Sequence, residues 1–195
     1  MAIRDLKHTY LDEIFVTKYG AKICRIRGLE DEFIITPSTY LRLPFDASNF
    51  DKDPEAQRLS LAIETDDELK NVFTVFDAWV VQYMAEHSVR IFKKEMTLEQ
   101  VKACYNSCLK ESKEPYPPIL KCKIDKGNRK GICCWSPSGH RVDPPGDWRT
   151  VLIKPRLHVS HVWLNNSTCG VVIQITDAEV IPRDAEPKPR ENPFK

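Results

Sequence analysis

The sequence predicts an α+β fold: a curled antiparallel sheet or small β-barrel interrupted by a two-helix insertion. Three observations carry this. Apolar residues alternate with a period of two before residue 65 and again after residue 118. Between 65 and 110 the period lengthens to that of a helix. The strands are short and punctuated by turn residues, which favours a curled sheet or barrel over a sandwich.

The first strand runs from Ile14 to Tyr19, Gly20 makes the turn, and Lys22 to Arg27 returns, with Ile23 and Arg25 facing away from Cys24 and Ile26. EFIIT (Glu32 to Thr36) and STYLRLPF (Ser38 to Phe45) follow, rich in the β-branched and aromatic side chains that suit a pleated surface. The polar run DASNFDKDPEAQ separates them from a strand at Leu59 to Glu64. Thr65-Asp-Asp-Glu68 then forms a capping-box pattern. The hydroxyl would take an orphan amide and the glutamate would reach back, so a helix should begin there. Leu69, Val72, Phe73, Phe76, Val80, Tyr83, Met84 and His87 continue at i, i+3, i+4, i+7 spacing. A second box, Thr97-Leu-Glu-Gln100, opens a shorter helix with Val101, Cys104, Cys108 and Leu109 on one face.

The prolines of KESKEPYPP end the helices and force an extended crossing. Ile119 to Ile124 and Gly131 to Trp135 read as two strands joined by the basic hairpin-type turn DKGNRK. After the turn-rich loop SPSGHRVDPPGDW come Val151 to Leu164 and Gly170 to Ile181. Residues 1–181 are thus expected to form one α+β domain with its helical insertion at 65–110. The proline- and charge-rich residues 182–195 are expected to be a mobile tail.

A chain of 195 residues with 42% hydrophobic and 29% charged residues has the composition of a folded globular protein. MAIRDLKHTYLDE contains no apolar run like a signal-peptide core, and no eighteen apolar residues run together. The expectation is a soluble intracellular protein of nucleus or cytoplasm, without a membrane partner. Seven scattered cysteines fit reduced thiols serving as small core residues. The net charge of +1 conceals an uneven distribution: residues 1–114 hold 16 Lys/Arg against 20 Asp/Glu, and residues 115–165 hold 9 against 3.

Metal ligation is disfavoured. Cys104 and Cys108 share a predicted helix face, and Cys122, Cys133, Cys134 and His140 could join them, but the close C-x-x-C pairs of closed zinc sites are absent. In the strand KPRLHVSHVWLNN, regular alternation sends His158 and His161 to opposite faces, with Lys154, Arg156 and His158 outward and His161 and Trp163 in the core. No metal and no cofactor are expected. Glycine loops for phosphate, a nucleophile elbow and H-E-x-x-H are all missing, so no catalytic residue is assigned and a non-enzyme is expected.

The basic segment interleaves cations with flat side chains: Tyr116, Lys121, Lys123, Lys126, Arg129, Lys130, Trp135, His140, Arg141, Trp148, Arg149, Lys154, Arg156 and His158. Cations that track phosphates beside rings that stack bases are what sequence-tolerant single-strand binding requires. Lys121 and Lys123 share one strand face by period two, as do Lys154, Arg156 and His158. His158 is expected to titrate near neutrality and to strengthen binding as pH falls. The same pattern admits a plainer reading, because half-exposed strands place lysines and arginines outward anyway and tryptophans commonly anchor cores and loops.

From Ser112 the series YPPILKCKID, CCWSPSGHRVDPPGDWR, KPRLHVSHVWLNN and STCGVVIQITDAEVI resembles, in order, a group of predicted single-stranded-DNA-binding-like proteins of large DNA viruses and some protists. The likeness covers about residues 112–181. It implies an OB-like β-barrel acting in DNA replication, recombination or repair, with Tyr116, Lys121, Lys123, Trp148, Arg149, Lys154, Arg156 and His158 at the interface. The acidic tail of bacterial single-strand binders is not reproduced, since ENPFK is mixed in charge. Together with Arg129 and Lys130 from the basic turn, these residues form the expected binding set for single-stranded nucleic acid, DNA in the first instance. The alternative is a structural or interaction subunit that meets a protein partner through the helical insertion.

Overall fold

The computed structural model describes residues 6–28, 32–49, 55–126 and 131–183. In chain order the strands are β1 Tyr10–Leu11, β2 Phe15–Val16, β3 Lys22–Arg27, β4 Ile34–Ile35, β5 Leu41–Arg42 and β6 Arg58–Glu64. Then come the helices α1 Asp67–Glu86, α2 Ser88–Phe92 and α3 Leu98–Cys104. They are followed by β7 Tyr105–Asn106, β8 Leu109–Lys110, β9 Ile119–Asp125, β10 Cys133–Trp135, β11 Arg141–Val142, β12 Val151–Leu164 and β13 Cys169–Pro182. The protein is α+β, and its large sheet curls without closing: among the described residues no ladder joins β1 to β11.

The spine of the sheet is the antiparallel hairpin of the two 14-residue strands β12 and β13. Short strands tile both of its flanks. Along β12 run β5, β4 and β3, all antiparallel. Along β13 run β7, β9 and β10, all parallel. The sheet is therefore mixed, where an antiparallel one was expected. The expected β9–β10 hairpin gives way to two strands that succeed each other on one edge of β13, at Gln174 and at Asp177–Glu179. β6 pairs along the whole of β9.

The core face is dictated by alternation. Leu59, Leu61 and Ile63 of β6 and Leu120, Cys122 and Ile124 of β9 are buried, and Cys24, Ile26, Val162, Ile173 and Ile175 continue the same layer. α1 adds Leu69, Val72, Phe73, Phe76, Val80 and Met84, and Phe76 stacks on Phe33 at 5.4 Å between ring centres. Each such side chain contributes about 1.5–3 kcal/mol on full burial. Cys24, Cys108, Cys122, Cys134 and Cys169 are buried in this layer, and burial pushes the thiols of Cys24 and Cys134 up to about 11.

The helical insertion has three helices, because α1 stops at His87 and α2 restarts at once. The cap of α1 is Asp66, whose carboxylate accepts from the Leu69 amide at 2.8 Å. Thr65, expected to cap, instead donates its hydroxyl to the Pro118 carbonyl and so ties the helix start to the strand that follows the insertion. The Thr97–Gln100 capping box forms as expected. α3 ends at Cys104, so Cys108 and Leu109 lie beyond it, in the connection and in β8. Asp77 of α1 holds that connection, accepting from the Tyr105 hydroxyl at 2.6 Å, the Ser107 hydroxyl at 2.6 Å and the Cys108 amide at 3.0 Å. Among the described residues no helix is long and apolar enough to cross a membrane.

Candidate nucleic-acid interface

The face opposite the core is organised by one residue. The β12–β13 register shifts between Val159 and His161, leaving Ser160 as an extra residue in β12. A bulge of this kind inverts the parity of everything after it. Val162 turns into the core, while His161 and Trp163 come to the same side as His158. The expectation that the two histidines diverge and that Trp163 is core is thereby overturned. A second shift between Arg156 and Leu157 makes the matching adjustment at Thr176 in β13.

Directly paired residues on neighbouring strands share a face, so rows can be read across the sheet. Phe15, Ile23, Trp163 and Gly170 form one row. The Trp163 ring lies over Gly170, and a Cβ there would meet the indole at 2.9 Å. Arg25, His161 and Val172 form the next. A third runs His158, Gln174, Lys123 and Ser60, in which the Lys123 ammonium donates to the Ser60 hydroxyl at 2.6 Å. Lys121 is exposed one strand period from Lys123. Among the described residues neither Arg25 nor Lys121 has a carboxylate partner.

Three carboxylates gather at the other end of this face, while Glu64 lies at the Lys121 end, 3.8 Å from Arg42. Asp125 lies 3.6 Å from Arg58 and accepts from Gln174 at 2.9 Å. Asp177 lies 3.8 Å from Arg156 and accepts from the Trp135 indole at 3.1 Å. Glu179 sits across from Lys154 and accepts from the Tyr40 hydroxyl, whose proton it holds on up to about 12.

The electrostatics follow from burial. His161 is depressed to about 4, first by burial and then by Arg58, His158 and Arg25. His158 is also held below the ordinary histidine range by burial, with Glu32 opposing and Arg156 adding to the depression. The shift runs toward the neutral imidazole, away from the titration near neutrality that was expected. Lys123 is lowered by burial and by Arg58 and Lys121. The cations near His161 oppose a metal ion there, and no cluster of three His, Cys, Asp or Glu side chains suited to one occurs among the described residues.

Of the expected interface residues, Lys121, Lys123, Lys154, Arg156 and His158 lie on this face. Tyr116 is 61% exposed and lines a cleft of about 560 Å³ with Phe45, Arg42 and Lys113, a cleft that reaches Ile119 and Glu64 at the Lys121 end of this face. Trp148 is 4% exposed and belongs to the core, so its ring has no free face for a base. Arg149 is held bidentately by Asp147, with a shortest contact of 2.6 Å, in a turn before β12. Arg129 and Lys130 lie outside the described residues. Sequence reasoning missed Arg25, His161, Trp163 and Phe15. The signal lay in the aliphatic spacing: Leu157 and Val159 are followed by Val162 and Leu164, an odd step that marks an inserted residue.

No protein-family model and no curated protein matches this chain. The single-stranded DNA-binding protein from bacteriophage Enc34 is similar in structure with a TM-score of 0.47, at 8% identity over 94% of this chain and 96% of that one. gp2.5, a single-stranded DNA-binding protein encoded by bacteriophage T7, is similar with a TM-score of 0.49, at 10% identity over 82% of this chain and 98% of that one. Both are bacteriophage proteins, and they do not bear on the viral and protist group that the sequence resembles.

Proposed function

We propose that this chain is a non-enzymatic binder of single-stranded nucleic acid, DNA in the first instance, with little sequence preference, acting in replication, recombination or repair. The interface is the face opposite the core. The observation that carries this reading is the Ser160 bulge, which sets His158, His161 and Trp163 on one face with Arg25, Lys121 and Lys123. Phe15, 54% exposed, extends the aromatic row at its edge.

Exposed cations without carboxylate partners suit phosphates, and an indole resting on a glycine offers a flat surface to a base of any identity. Among the described residues of the face no set of paired donors and acceptors stands ready to read base edges. Lys154 and Arg156 lie toward the carboxylate-rich end and contribute less than Arg25 and Lys121, because Asp177 and Glu179 partly neutralise that end.

Fluorescence anisotropy with labelled single-stranded DNA, single-stranded RNA and duplex DNA at two salt concentrations tests the proposal. Single-stranded DNA is expected to bind best, with affinity falling steeply as salt rises because neutralised phosphates release counterions. Absence of binding to all three at low salt refutes it. Salt also separates the rival, a protein-interaction subunit with a hydrophobic interface, whose association would barely respond.

A further inference from the structure

A cleft of about 820 Å³ opens where the β2–β3 hairpin, the end of α2 and the β12–β13 turn meet. It lies at the sheet edge and includes residues that the expected interface omits. Lys22, Lys93 and Lys94 line it, all exposed, together with Tyr19, Trp163 and Asn166, and no carboxylate is among the described residues that do. Three ammonium groups around one cleft without a counter-charge raise the local potential and favour an anion.

The rim is ordered. In the hairpin turn the Thr17 amide donates to the Ala21 carbonyl at 2.8 Å and the Gly20 amide to the Thr17 carbonyl at 2.9 Å, with Gly20 at φ 81. This turn holds Tyr19 85% exposed, with the Lys18 ammonium 4.9 Å from its ring centre. Trp163 is common to both places: its indole covers Gly170 on the sheet face, and the residue is among those that line the cleft at the edge.

We infer that this cleft is a second subsite of the same nucleic-acid interface. It takes backbone phosphates of the strand that leaves the sheet face past Trp163, with Tyr19 stacking on a base at its rim. The inference rests on the sheet-face reading and extends the strand's path across the sheet edge. The chemistry recognised is a polyanion with flat bases, which distinguishes it from an acidic peptide.

The test is anisotropy on the full chain with labelled oligo(dT) of about 6 and about 20 nucleotides, one near the low end of the roughly 4–16 nucleotides that a small single-strand-binding domain covers and one beyond it. The variant is Lys22→Thr/Lys93→Asn/Lys94→Ala. Asparagine is chosen at Lys93 because that residue sits at φ 60, a conformation asparagine tolerates. An unchanged thermal melt shows that the variant folds. For the long oligonucleotide we expect a loss of about tenfold in affinity, and a fall of about 2 in the slope of log K against log salt, from three phosphate contacts at roughly 0.7 each. For the short one we expect little change.

Equal losses at both lengths, or none at either, overturn the inference while leaving the sheet-face reading standing. A glutamate-rich peptide that binds the wild type and not the variant, with long-oligonucleotide affinity unaffected, also overturns it, in favour of a protein ligand. Wild-type protein that binds neither oligonucleotide removes the sheet-face reading and the subsite with it.

Discussion

The two tryptophans Trp148 and Trp163 separate packing from recognition. Trp148 is buried in the core cluster, and Trp163 lies on the opposite face over Gly170. Trp148→Ala should cost about 3–5 kcal/mol of stability, as aromatic deletions in cores do. Trp163→Ala should cost far less stability and lose about 1–3 kcal/mol of binding, the worth of one stacked base. Chemical denaturation and anisotropy on both variants check this, and the reverse assignment would refute the bulge. The histidines make a pH prediction. His161 at about 4 and His158 below its ordinary range are both neutral at pH 7. A phosphate beside them favours the imidazolium, so the complex binds protons more readily than the free protein. Affinity should therefore be flat at neutral pH, where both imidazoles are uncharged, and rise on acidification toward the free-protein value of His161, about 4. His161→Gln should flatten that rise in a pH series of anisotropy titrations. In the free protein the sign is opposite. The folded pKa of His161 lies below the unfolded one, so its contribution to stability is present above pH 6.5 and is lost as pH falls toward 4.

At the level of elements, Asp77 is the tie between α1 and the α3–β8 connection, satisfying two hydroxyls and an amide at once. Asp77→Ala strands the part-buried Tyr105 hydroxyl and Cys108 amide, each at a cost of about 1–3 kcal/mol, while the exposed Ser107 hydroxyl turns to water. A loss of about 2–6 kcal/mol in denaturant unfolding is expected, with single-strand affinity unchanged because the proposed site lies on the other face. The elements also show what a sequence can disclose. Strand periodicity placed β3, β6, β9, β12 and β13, and the helical period placed α1, because burial on one face imposes a local repeat that neighbouring residues record. The partners of those strands were not legible. β9 and β10 looked like a hairpin because a basic turn joins them, yet each pairs with β13, a choice made by residues far away in the chain. β7 and β8 were hidden because two-residue strands have no period, and Cys104 to Leu109 fits a helical face as well. The site was half legible. Lys121, Lys123 and His158 followed from alternation, while His161 and Trp163 were misplaced by one inserted residue, since a single bulge reverses every assignment beyond it.

For the molecule as a whole, the placement of helices and charges decides where a ligand can lie. The helices and sheet share one apolar layer, and the proposed interface is the opposite face. On that face the carboxylates Asp125, Asp177 and Glu179 collect at one end with their own partners, and Arg25 and Lys121 stand at the other without any among the described residues. A net charge of +1 thus coexists with an uneven arrangement, and on the proposed reading a polyanion would be drawn to the Arg25 and Lys121 end rather than to the surface at large. Arg25→Ala/Lys121→Ala should therefore lower the slope of log K against log salt by about 1.4, two phosphate contacts at roughly 0.7 each for a single strand. Lys154→Ala should change it little, because removing Lys154 leaves Glu179 and Asp177 to act on an end already near neutrality. Salt-series anisotropy on the wild type and the two variants decides the matter: a fall for Lys154→Ala about half that of the double variant would mean that binding follows total charge and not this arrangement.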